Sequence, residues 1–113
     1  IAPIAQEYKP QLVMISAGFD AHKDDPLAGM GLTGLGYDYM TRALMKIAAE
    51  SAAGKMVLAL EGGYSETGLQ DGTQAVFRSL LGDAAPVPPV ASDRIRDYVG
   101  DLKKQFKSYW KGL

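Results

Sequence analysis

Apolar residues recur along this chain with two periods, and the switches between them mark out its elements. Ile1, Ile4, Ala5 and Tyr8 keep helical spacing, which predicts a helix at the start. Pro10 disfavours helix in Lys9, so that helix closes there. Leu12–Ile15 is an unbroken apolar run, followed by the small residues Ser16, Ala17 and Gly18. It predicts a strand buried on both faces, as in a parallel sheet. A long loop rich in Gly and Asp follows, from Phe19 to Leu32, with Pro26 inside it. Loops of that length at strand ends are usually functional or disordered, and this composition is too specific for a flexible linker.

Thr33 then offers an N-cap for a helix to about Ala53, with Met40, Ala43, Leu44, Ile47 and Ala48 as its apolar stripe. Gly54 stops it, and Met56–Leu60 is a second strand-like run. Strand, helix and strand in this order make a parallel βαβ unit. Ser65 caps a further helix whose apolar side is Leu69, Thr73, Val76, Phe77, Leu80 and Leu81, ending at Gly82. Residues 84–91 hold three prolines and read as a surface connector. Residues 92–113 read as a last helix and tail. Ser92 or Asp93 caps the helix, it runs to about Tyr109, and Ile95, Val99, Leu102 and Phe106 face inward. Trp110 is expected to pack the tail onto the body. The architecture predicted is α/β, a three-layer α/β/α arrangement around a parallel sheet of which this chain holds two core strands.

Composition narrows the function classes. A net charge of −1 gives no surface for a polyanion, so nucleic acid is not expected as a direct partner. No apolar run is long enough to cross a bilayer, so no membrane association is expected either. With no cysteine, disulfides and Cys-based zinc sites are ruled out, and a cytoplasmic location is expected. The chain opens Ile1-Ala2-Pro3-Ile4 inside a helical pattern, and it is read as residues 1–113 of one portion of a longer domain.

The two strand ends carry the candidate chemistry. The first runs into Asp20, with His22, Asp24 and Asp25 behind it; the second runs into Glu61-Gly62-Gly63-Tyr64. Parallel α/β sheets place ligand and metal chemistry at the C-terminal ends of their strands. Asp20 reads two ways, as an oxygen ligand for a divalent metal or as a loop cap accepting backbone N–H groups. Tyr64 also reads two ways, as a hydroxyl donor to a developing oxyanion or as a packed tyrosine. Asp24 and Asp25, before Pro26, read as turn-formers. Gly62-Gly63 lacks the lysine and spacing of a phosphate loop.

The stretch SAGFDAHKDDPLAGM with the LT that follows, then LALEGGY, and the closing QFKSYWKGL resemble one family. The chain is similar to the C-terminal third of the arginase/deacetylase-type fold, and specifically to zinc-dependent histone deacetylases. Within that family the resemblance is to the bacterial class II-like and acetoin-utilisation-like amidohydrolases. It implies a zinc-ligand role for Asp20, an oxyanion-stabilising role for Tyr64, a place in the acyl-lysine channel for Leu27, and a pocket-floor role for Gly62 and Gly63. His22 does not fall on a family ligand position. An acidic residue at position 27 would suit a polyamine substrate, and Leu27 argues against an acetylpolyamine. The implied reaction is hydrolysis of an acetylated amine, such as acetyl-lysine, to amine and acetate. The family's remaining zinc ligands and its histidine pair lie upstream of the matching segment, so this chain alone is expected to be inactive and to bind zinc weakly or not at all. It is also expected to associate with itself or with the missing part of the domain. The alternatives are a non-catalytic α/β scaffold or interaction module, and an acetylpolyamine amidohydrolase.

Overall fold

The computed structural model describes residues 1–87 and 89–113. Its elements are α1 (Ala2–Tyr8), β1 (Val13–Ala17), α2 (Gly34–Ser51), β2 (Met56–Leu60), α3 (Glu66–Leu81) and α4 (Asp93–Phe106). The strands pair in parallel, from Val13 opposite Met56 to Ala17 opposite Leu60, with α2 as the crossover. Lys9 closes α1 in the left-handed conformation (φ 55°), and Ala53 and Gly54 close α2 in the same way (φ 52° and 76°). Ser65 and Ser92 cap α3 and α4 by accepting the backbone N–H of Gly68 and of Ile95. Thr33 precedes α2 without a side-chain cap bond, a task that falls to Asp71 of α3, whose carboxylate accepts the Gly34 N–H at 2.6 Å. Among the described residues, no helix is long and apolar enough to cross a membrane.

Burial on both faces of the sheet, expected from the apolar runs, is not what these residues form. Val13, Ile15, Met56 and Leu58 face α2 and α3 and are half-buried, while Met14 on the other face is 75% exposed and Val57 49%. This chain therefore builds two layers, a sheet with α2 and α3 on one side. The unbroken apolar run is a property of a sheet meant to be covered twice, and these residues cover it once.

Helix α3 departs from its hydrophobic pattern in the same sense. Its buried positions are Gly68, Gly72 and Ser79, whereas Phe77 is 63% exposed and Leu81 82%. The small residues win because α3 lies close to the loop after β1. A Cβ on Gly72 would overlap the Phe19 ring, and one on Gly68 would stand 3.0 Å from the His22 ring. Thr73, Val76 and Phe77 instead line an open hollow with Leu58 and Leu60 of β2. In α2 the buried set is Gly34, Tyr37, Asp38, Thr41, Ile47 and Ala48, and the predicted stripe residue Met40 is 46% exposed. Asp38 is buried because α3 meets α2 there: Ser79 donates its hydroxyl to the Asp38 carboxylate, and Arg42 Nε reaches both oxygens at 3.1 and 2.9 Å.

Residues 83–87 and 89–91 form no regular element; Pro88 of the expected connector lies outside the described residues. Helix α4 buries none of its residues, so its apolar side does not face inward as expected; Ile95 is 52% exposed and Tyr98 62%. The tail does return to the body. Trp110 is half-buried, and the Gly112 N–H is donated to Glu7 Oε2 at 2.8 Å.

Candidate active-site edge

The hydrogen-bond ladder of the sheet continues beyond both strands. Glu61 N–H is donated to the Ala17 carbonyl and Phe19 N–H to the Gly62 carbonyl, each at 3.1 Å. This stitches the two strand tips together and decides where Asp20 sits. Its carboxylate lies over Gly18 and Gly62: a Cβ on Gly18 would be 2.8 Å from Asp20 Oδ1, and one on Gly62 3.4 Å from it. Gly62 and Gly63 have φ of 99° and 124°, a conformation open to glycine at no steric cost, and a Cβ on Gly63 would press on Phe19 at 3.0 Å.

The loop after Asp20 is pinned at its centre by His22, which is 1% exposed. The Asp24 N–H is donated to His22 Nδ1 at 3.1 Å, which makes Nδ1 the acceptor and leaves the proton on Nε2. Nε2–H is in turn donated to Asp71 Oδ2 at 3.0 Å. Asp71 thus joins three elements, holding the loop through His22 and the start of α2 through Gly34. The Gly34 N–H, then His22, keep the Asp71 carboxyl below the usual carboxylate range. Sequence reasoning missed Asp71. A single acid in the middle of an amphipathic helix reads as solvent-facing, and nothing in its neighbours signals otherwise. The bridge between His22 and Leu32, with Lys23 N–H donated to the Leu32 carbonyl at 2.7 Å, closes the loop on itself.

Asp25 is a turn-former, as its place before Pro26 suggested, and it has a second task. It is 7% exposed; Oδ1 accepts the Leu27 N–H at 2.9 Å, and Oδ2 accepts the Tyr64 N–H at 2.7 Å. Burial pulls the Asp25 carboxyl upward, but the backbone N–H groups of Leu27, Tyr64, Ser65 and Ala28 outweigh it, and the net shift is downward. Tyr37 lies within reach of these charges. Burial first, and then the charges of Asp20, Asp25 and Asp71, push its phenol upward. Its hydroxyl is buried with no hydrogen-bond partner among the described residues, and its ring packs 5.0 Å from that of Phe19.

The structure therefore brings Asp20, Gly62 and Gly63 together and ties the backbone of Tyr64 to the same loop. The side chains of Tyr64 and Leu27 are 65% and 70% exposed, and a common enclosed pocket is not what these residues build around them. A hollow of about 650 Å³ lies between α2 and α3, lined by residues such as Asp38, Arg42 and Arg78, and it includes neither Asp20 nor Tyr64. Zinc takes at least three protein ligands, and the described residues contain no group of three His, Asp or Glu side chains placed to hold an ion.

Residues 1–80, which include both strand tips, match the model of the histone deacetylase domain. The chain belongs to the histone deacetylase family. It is 45% identical over 84 residues to histone deacetylase 10, chloroplastic, of Oryza sativa subsp. japonica, a match covering 74% of this chain and 19% of the relative. It is 36% identical to the polyamine deacetylase HDAC10 of Danio rerio, over 100% of this chain and 17% of that protein. Its fold superposes on the histone deacetylase Clr3 with a TM-score of 0.84 at 32% identity, over 99% of this chain and 18% of that one. The HD domain of HDA15 gives a TM-score of 0.78 at 34% identity, over 98% of this chain and 30% of that one. The chain thus spans about a fifth of the length of such relatives.

Proposed function

We propose that this chain forms one wall of the active site of a zinc-dependent deacetylase, which hydrolyses an acetylated amine, such as acetyl-lysine, to amine and acetate. The observation that carries the reading is the stitched pair of strand tips, which sets the Asp20 carboxylate against the loop ending in Tyr64. Zinc, when bound, supplies Lewis-acid chemistry and an activated water. Asp20 is one oxygen donor toward it, and the other donors and the general base come from outside these residues. The Tyr64 phenol donates a hydrogen bond to the oxyanion that forms as the amide carbonyl is attacked. Leu27, on the same edge, lines the approach of the acyl-lysine stem, and its lack of charge disfavours a cationic polyamine. Gly62 and Gly63 form the floor, where a Cβ on Gly62 would touch Asp20 and one on Gly63 would press on Phe19 at 3.0 Å.

The relatives named above are eukaryotic, so the reading takes the family and not the bacterial lineage of the sequence resemblance. The uncovered sheet face and the apolar side of α3 would pack against the remainder of a three-layer domain, which supplies the missing ligands. The test is hydrolysis of an acetyl-lysine peptide by the 113-residue chain and by the longer polypeptide carrying the upstream segment, with zinc content measured in both. The expected result is turnover and zinc in the longer protein only. Turnover by the short chain would overturn the shared-site reading, and a longer protein with zinc-independent activity or none would leave the scaffold alternative standing.

A further inference from the structure

We propose that Asp25 is a positioning residue for Tyr64, fixing the backbone from which the phenol projects and coupling it to the loop that carries Asp20 and Leu27. The inference rests on the oxyanion role proposed for Tyr64. Tyr64 follows two glycines with positive φ, whose lack of a side chain leaves Tyr64 no neighbouring side chain on its N-terminal side to hold it. Its side chain is 65% exposed and does not hold itself by packing. Immediately after it, Ser65 caps α3 and the chain becomes rigid. Among the described residues, the side chain that holds the Tyr64 backbone between the diglycine and the start of α3 is the Asp25 carboxylate, through a charge-assisted bond of 2.7 Å.

Asp25 is itself well held. Its own N–H is donated to the His22 carbonyl at 3.0 Å, its Oδ1 accepts the Leu27 N–H at 2.9 Å, and Pro26 between them has its φ locked by the ring. The two oxygens thus serve two loops, one each. This arrangement needs two acceptors. An asparagine offers one oxygen, and its amide nitrogen would face an N–H donor on whichever side it was turned. A glutamate keeps both acceptors but carries them one methylene further out. A displaced phenol would still allow substrate to bind, so the loss belongs in kcat rather than KM.

The experiment compares wild type, Asp25→Asn, Asp25→Glu, Tyr64→Phe and the Asp25→Asn/Tyr64→Phe double variant in the longer active polypeptide, assayed on an acetyl-lysine peptide. Asp25→Asn is expected to lower kcat by roughly 30- to 100-fold with KM within about threefold, the scale of a small misplacement of a reacting group. Asp25→Glu is expected to recover part of that loss. In the Tyr64→Phe background Asp25→Asn is expected to cost less than about threefold, since no phenol remains to be positioned. An equal loss in both backgrounds, or a loss below threefold in the wild-type background, overturns the proposal. If Asp25→Asn fails to fold, backbone amide exchange in the wild-type protein decides. A Tyr64 amide protected well beyond that of Gly63 supports the pin, and one exchanging as fast as an open loop overturns it. A Tyr64→Phe variant with near wild-type activity would instead defeat the proposed role of Tyr64, while amide exchange still reports on the contact with Asp25.

Discussion

The strand-tip edge and the outer surface of α3 and α4 are opposites. At the edge and between α2 and α3, polar side chains are buried and partnered: His22 and Asp25 in the first place, Asp38 and Ser79 in the second, are all under a tenth exposed, and each accepts or donates at least one hydrogen bond. On the outer surface, large apolar residues stand in the open, Phe77 at 63%, Leu81 at 82% and Tyr98 at 62% exposure. Buried polar groups with partners are ordinary, whereas large apolar residues left this open are not the usual arrangement of a packed core. The contrast shows what holds this chain together. Its order comes from hydrogen-bonded polar pins and from glycines that permit close approach, while much of its hydrophobic surface has no cover among the described residues.

The comparison is broken most severely at Gly72. Replacing it by leucine drives a side chain into Phe19 and should cost about 3 kcal/mol or more, seen as a shift of the urea midpoint. Gly72→Ala tests the same contact more gently and should still cost about 1–3 kcal/mol. Next comes Asp71→Ala, which leaves a buried imidazole N–H and the Gly34 N–H without an acceptor; a loss of about 1–3 kcal/mol is expected by the same measurement. If it proved neutral, the polar pins would be ornaments on a fold held otherwise.

Acid sharpens the contrast further. Asp25, Asp38 and Asp71 all sit below the ordinary carboxylate value of 3.8 when folded, so the unfolded chain binds their protons more readily. Their stabilisation is complete above that value and is lost as pH falls through the lower folded values. A thermal midpoint that drops below about pH 4, with less of a drop in Asp38→Asn than in wild type, is the expected result. The smallest effect belongs to the outer surface. Phe77→Ser and Leu81→Ser should change stability by no more than about 0.5 kcal/mol. They should also reduce any self-association of the chain measured by light scattering, since they remove exposed apolar area.

Several elements were legible in the sequence because they depend on local physics. The apolar run after Pro10 and the run Met56–Leu60 read correctly as paired parallel strands, although β1 begins at Val13 rather than Leu12. Ser65, Gly82 and Ser92 marked helix ends, since capping and left-handed closure are settled within a turn. The apolar stripes of α3 and α4 misled. Periodicity reports which side of a helix prefers to leave water, not whether a neighbour is present to receive it.

What the residues alone determined about this protein is its membership of a family and the two strands that lead into the GFD and GGY motifs, because each motif is written as a contiguous stretch. The links between those ends were decided only in three dimensions. Asp25 and Tyr64 are 39 positions apart, and His22 and Asp71 are 49 apart. A carboxylate's choice of partner across such distances depends on which backbones the sheet ladder and the glycine contacts of α3 bring within about 3 Å of it.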